Sequence, residues 1–108
     1  MKDIAIYGAG GFGKEVACLI NRINQVIPTW NLVGFFDDNV ALRNQMISHY
    51  GKCIGNIDNL NDYKDELCVA IAIGNPKDAQ IIVDKIINPL IYFPNLVHPT
   101  AKCIDDET

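Results

Sequence analysis

The chain has 108 residues, of which 49% are hydrophobic and 20% charged, and its formal net charge is -4. One globular domain with a real core is expected from this, and an acidic balance without a basic run argues against nucleic acid and anionic membranes as partners. No apolar run has the length of a membrane span, and the first strand, expected from Asp3 or Ile4, leaves no room for a signal peptide, so a cytoplasmic location is expected.

Ile4-Ala5-Ile6-Tyr7 reads as a strand that runs into Gly8-Ala9-Gly10-Gly11-Phe12-Gly13 and then at once into a helical pattern. Strand, glycine turn, helix is the setting that G-x-G-x-x-G requires, here Gly8, Gly10 and Gly13. Gly8 permits the tight turn, Gly10 lets the backbone approach a phosphate, and Gly13 lets the helix pack close to the strand. The unpaired N–H groups of the first helical turn favour an anion. The motif leaves the phosphate open between a dinucleotide, a nucleotide sugar and coenzyme A.

Val16, Leu19, Ile20, Ile23 and Ile27 fall at helical spacing and predict one apolar face, ended by Pro28. Trp30 to Phe36 reads as a second buried strand that stops at Asp37-Asp38. The carboxyl ends of two adjacent parallel strands lie side by side, so this acidic pair is expected beside the glycine loop. There an acid can accept hydrogen bonds from a ribose hydroxyl or a base N–H, and one of the two aspartates is expected to do so.

Residues 39–49 are polar and read as a loop containing Arg43 and His49, and His49 is given no role. Tyr50 to Gly55 fits a short strand or edge segment. A short helix is expected to start near Asn56 to Leu60, capped by Asn56 or Asp58. Leu67 to Ile73 is a continuous apolar run, as a parallel strand near the centre of a sheet requires. It ends in Gly74-Asn75-Pro76, with Pro76 suited to the first turn of another helix. Ala79, Ile82, Val83, Ile86 and Ile87 would form the inner stripe of that helix. Gly74 and Asn75 form a second loop toward the same crevice, where Asn75 either meets a ligand or braces the turn.

Cys18, Cys53, Cys68 and Cys103 are widely spaced without a C-x-x-C pair. Buried free thiols are expected, with no metal site and no disulfide framework. The tail has a short apolar run at Leu90 to Phe93, then Pro94, then Asn95-Leu96-Val97-His98-Pro99-Thr100-Ala101, with Cys103-Ile104 beginning another apolar step before an acidic end.

Four segments, Ile6 to Val16, Gly34 to Asp38, Ile71 to Pro76 and Leu96 to Ala101, occur in an order that resembles a known family. The chain is similar to the amino-terminal domain of sugar O-acyltransferases of the sialic acid O-acetyltransferase (NeuD) type. It is similar also to the bacterial N-acetyltransferases that act on UDP-4-amino-sugars (PglD-like). The resemblance implies a small Rossmann-like three-layer α/β/α domain over residues 1–97, with a short parallel sheet of about four strands. Residues 98–108 would then lead to a left-handed β-helix domain that is absent from this chain. It implies a UDP-sugar as partner, and acetyl-CoA as acyl donor, bound mainly by that β-helix, with no cofactor in this chain. It also implies a homotrimer for the full-length protein.

By the same resemblance, Gly8, Gly10, Gly11 and Gly13 would lie at the diphosphate, Asp37 and Asp38 near uracil or ribose, and Gly74 and Asn75 toward the sugar. Phe12 stands in the site where many members carry His. The catalytic His–Glu pair of the family belongs to the β-helix, so no catalytic residue is expected here, and His98 matches a junction histidine. The chain alone is then expected to be inactive in acyl transfer. The residues also admit a stand-alone NAD- or CoA-binding module. An NAD-dependent oxidoreductase fits poorly, because the length and the missing Tyr-Lys or Cys/His constellation count against it.

Overall fold

The structure is a computed structural model that describes residues 1–96. The expected domain boundary after residue 97, the His98–Ala101 motif and Cys103-Ile104 lie outside the described residues. Among the described residues ten elements follow in order. Strand β1 spans Lys2–Tyr7, helix α1 Gly11–Val26, strand β2 Trp30–Phe36, and a 3-10 turn Val40–Leu42. Strands β3 (Met46–Ile47) and β4 (Gly51–Gly55) come next, then helix α2 (Ile57–Asn61), strand β5 (Leu67–Ile71), helix α3 (Pro76–Lys85) and strand β6 (Ile91–Tyr92).

The strands form one sheet in the order β3-β4-β2-β1-β5-β6. Every neighbouring pair is parallel except β3 with β4. The sheet is thus wider than the four or so strands expected. The two additions at its edges, β3 and β6, are only two residues each.

The three layers follow from the alternation of side chains along a strand. Ile4 and Ile6 of β1 and Phe35 of β2 point to one face, where Ala17 and Ile20 of α1 cover them. Ala5 and Tyr7 of β1 and Phe36 of β2 point to the other, where Leu60 of α2 and Ile82 of α3 cover them. Both faces are apolar, so β1 is buried from Ile4 to Tyr7 without a polar break. No helix among the described residues is long and apolar enough to cross a membrane.

Each helix starts for a readable reason. Asn56 caps α2 with a capping box: its side chain accepts from the backbone of Asp58 and Asn59, and Asn59 returns a bond to the Asn56 N–H. Asn75 caps α3 with Pro76 in the first turn. Helix α1 starts on Gly10 with no side-chain cap.

Three expectations need correction. Ile27 is 60% exposed and outside α1, because a residue that precedes proline is driven to extended backbone. Ile87 is 79% exposed and lies beyond the end of α3 at Lys85, so it does not belong to an inner stripe. Of the described thiols only Cys53 is buried, while Cys18 and Cys68 are half-buried, and all three are free.

Candidate functional site at the strand ends

From β1 the chain moves to β2 and β4 on one side, then returns to the other side of β1 with β5. The carboxyl ends of β1 and β5 therefore flank the point where the winding reverses, which is where open α/β sheets bind ligands. Two loops meet there, Gly8–Gly10 after β1 and Ala72–Asn75 after β5. Each is tied to the neighbouring strand end by a backbone bond that continues the sheet: Gly8 N–H to the Phe36 carbonyl of β2 at 2.8 Å, and Ala72 N–H to the Tyr7 carbonyl of β1 at 2.8 Å.

The glycines of the loop divide into two kinds. Gly8 has φ +112°, and a Cβ there would sit 2.5 Å from the Ala72 carbonyl oxygen. A Cβ on Gly13 would fall inside the Gly8 carbonyl oxygen, with the carbonyl carbon only 3.0 Å away. These two are demanded by the fold itself. Gly10, Gly11 and Gly74 are different, since a Cβ on any of them would have no atom within 4 Å beyond its own stretch of backbone. Their bare backbone borders open space at the crevice, beside the uncapped start of α1.

The acidic pair is also divided. Asp37 Oδ2 accepts the Ala9 N–H at 2.8 Å, and Asp37 Oδ1 accepts the Asn39 N–H at 2.9 Å. Asp37 thus ties the end of β2 to the glycine loop. Asp38 is exposed and accepts the hydroxyl of Tyr7, whose side chain is almost wholly buried. Burial holds the Tyr7 hydroxyl far above the ordinary tyrosine range, and the hydrogen bond and negative charge of Asp38 add to this. Burial likewise pushes the Cys53 thiol up.

Asn75 braces its turn: its side-chain oxygen accepts from Lys77 N–H at 2.9 Å and Asp78 N–H at 3.4 Å. Phe12 is 45% exposed on the first turn of α1. It borders an apolar groove of about 590 Å³ that Val16, Leu19, Ile71 and Leu96 also line. A small pocket on the other side of Asp37 is lined by Asn39, Arg43, Gly55 and Asn56. A cavity of about 530 Å³ lies at the amino ends of the strands, lined by Asp3, Trp30, Glu66 and Tyr92. It is at the opposite end of the sheet from the glycine loop. Among the described residues no group of three His, Cys, Asp or Glu side chains is arranged to hold a metal ion.

Gly8, Gly10, Gly11, Phe12, Gly13, Asp37, Gly74 and Asn75 all lie on the loops and first helical turns at these strand ends, with Asp38 beside them. The role of Tyr7 is not visible in the sequence, because its hydroxyl finds its partner 31 residues away. In the sequence Arg43 is only one residue of a polar loop. Its bridge to Cys53 brings it to the pocket beside Asp37.

Comparison with solved structures finds a protein called RSP, determined in complex with beta-NADH, with TM-score 0.61 and 22% sequence identity. The likeness covers 93% of this chain and 50% of RSP, so the chain spans about half the length of that structure. At this identity the likeness shows a shared Rossmann-like fold. Comparison with curated proteins finds no match. The family model of the PglD N-terminal domain matches residues 3–86. That span runs from the first strand through both crevice loops to the end of α3, and the chain belongs to the PglD N-terminal domain family.

Proposed function

We propose that this domain binds a UDP-sugar at the strand ends and presents it to the acyl-transfer site of an acetyltransferase. The observation that carries this reading is the open cradle of Gly10, Gly11 and Gly74, where the backbone is bare and nothing of the protein fills the space. The uncapped start of α1 supplies N–H donors and the positive end of a helix dipole to the same space. The diphosphate lies on this turn, the nucleoside lies toward Asp37 and Asp38, and the sugar lies toward Gly74 and Phe12.

In this reading acetyl-CoA is held by a further domain of the complete protein, a trimer, and that domain also carries the general base that deprotonates the acceptor. The residues of this chain hold and orient the acceptor, whose transfer gains rate from being fixed against the donor. The sugar, and the choice of an amine or a hydroxyl as acceptor, belong to the complete site. A second reading is a module that binds NADH, favoured by the fold shared with RSP. Calorimetry with UDP, a UDP-sugar, NADH and coenzyme A separates the two. The proposal expects the UDP compounds to bind most tightly. Tighter binding of NADH or coenzyme A overturns it.

A further inference from the structure

The end of the sheet away from the glycine loop holds a cavity of about 530 Å³ that the proposed function does not use. Its origin lies in the layers. Helix α1 covers β1 and β2 on one face, while α2 and α3 pack on the other. Cys68 of β5 packs on the α1 side, and Tyr92 of β6 is its partner in register. Partners in a parallel ladder project to the same face, so both stand on the part of that face which α1 leaves open. Lys2 and Trp30 form a second such pair at the amino ends of β1 and β2. Phe93 also lines the cavity.

The lining is aromatic and acidic together. Trp30 is half-buried, and Tyr92 and Phe93 are each half-exposed. Asp3 and Glu66 each have one oxygen on a neutral donor. Asn31 Nδ2 donates to Asp3 Oδ1 at 2.9 Å, and the Tyr92 hydroxyl donates to Glu66 Oε2 at 3.2 Å. The other oxygen of each acid has no protein donor among the described residues. Lys2 lines the cavity too but hydrogen-bonds neither acid. The neutral donors therefore steady the two carboxylates without cancelling their charge.

We propose that this cavity is a second binding site, for a small organic ammonium ion with an apolar body. Its volume is that of a small-molecule site. The faces of aromatic rings are negative and attract a cation, tryptophan most strongly. The free carboxylate oxygens supply the countercharge. Tyr92 serves twice, since its ring lines the cavity and its hydroxyl orients Glu66. A neutral apolar ligand would strip water from two acids and give them no partner, and an anion would be repelled by them. The site stands apart from the crevice and does not depend on what the glycine loop binds.

Trp30 is the one tryptophan of the chain, so its fluorescence reads the cavity directly. The probe is choline, compared with its uncharged analogue, in which a tert-butyl group replaces the trimethylammonium. Choline should change the fluorescence saturably with a dissociation constant of about 1–10 mM, the strength of a few exposed contacts. The analogue should bind roughly tenfold more weakly. The double variant Asp3→Asn, Glu66→Gln changes two exposed side chains and should weaken choline about fivefold. Tyr92→Leu, on the two-residue edge strand, should weaken it about three- to fivefold. Amide shifts with choline should fall on Lys2, Cys68 and Tyr92.

An analogue that binds as tightly as choline would overturn the assignment. So would the lack of saturation by about 100 mM choline, an unchanged affinity in the double variant, or amide shifts centred on the glycine loop. Each of these results leaves the UDP-sugar reading intact.

Discussion

Gly10 and Gly13 lie three residues apart in one turn, and substitution should separate them completely. At Gly13 an added methyl group overlaps the Gly8 carbonyl, so α1 must move away from the end of β1. Such overpacking costs about 3 kcal/mol, of which the better helix propensity of alanine returns at most about 1 kcal/mol. A net loss of about 2 kcal/mol lowers the melting temperature of a domain this size by roughly 8–16 °C. At Gly10 an added Cβ meets no atom of the rest of the fold within 4 Å, and the backbone there (φ -83°, ψ -159°) is open to any residue. Gly10→Val should therefore cost the fold no more than about 1 kcal/mol, the penalty of a branched residue at a helix N-cap. It should nevertheless abolish UDP binding, because the branched side chain occupies the space of the diphosphate. Thermal melts and calorimetry on Gly13→Ala and Gly10→Val provide the assay. A Gly10→Val protein that binds UDP as the wild type does would refute the cradle. A Gly13→Ala protein with an unchanged melting temperature would refute the packing.

Asp37→Ala should destabilise the domain by about 1–3 kcal/mol, because it strands the Ala9 and Asn39 N–H groups; a urea titration reads the loss. Asn56→Ala removes both bonds of the α2 capping box and should cost about 1 kcal/mol in the same titration. Alkaline pH should weaken the fold in a way that depends on Tyr7. The unfolded chain releases this proton near the ordinary value of 10.0, and the folded chain holds it to higher pH. That stability is full below the unfolded value and falls as pH rises above it. Melts from pH 8 to 11 should show a shallower decline for Tyr7→Phe than for the wild type. Acetyl-CoA with UDP-4-amino-sugars should release no thiol in the presence of this chain alone.

The central β1–turn–α1 unit and the strand β2 were legible because long periodic runs and a glycine cluster fix them locally. The starts of α2 near Asn56 and of α3 at Pro76 were legible for the same reason, but the choice of Asn56 over Asp58 as cap of α2 and the capping of α3 by Asn75 come from the structure. Strands β3 and β6 were not, because two residues carry no period. The isoleucine stripe of α3 continues in sequence past its real end, and only Asn88-Pro89 hints that the helix has stopped. At the site, the position of the acidic pair followed from parallel pairing of β1 and β2. The division of labour within the pair did not. It depends on the Ala9 N–H 28 residues from Asp37 and on the Tyr7 hydroxyl 31 residues from Asp38. Both acids are tied to the fold, Asp37 through the Ala9 and Asn39 N–H groups and Asp38 through the buried Tyr7 hydroxyl.

Titration of the 15N-labelled chain with UDP, followed by amide resonances, tests the central claim most directly. The largest shifts should fall on Gly10, Gly11, Phe12 and Gly13, with smaller ones at Gly74 and Asp38. Shifts centred on Trp30, Glu66 and Tyr92 at the opposite end of the sheet, or none at millimolar UDP, would contradict it.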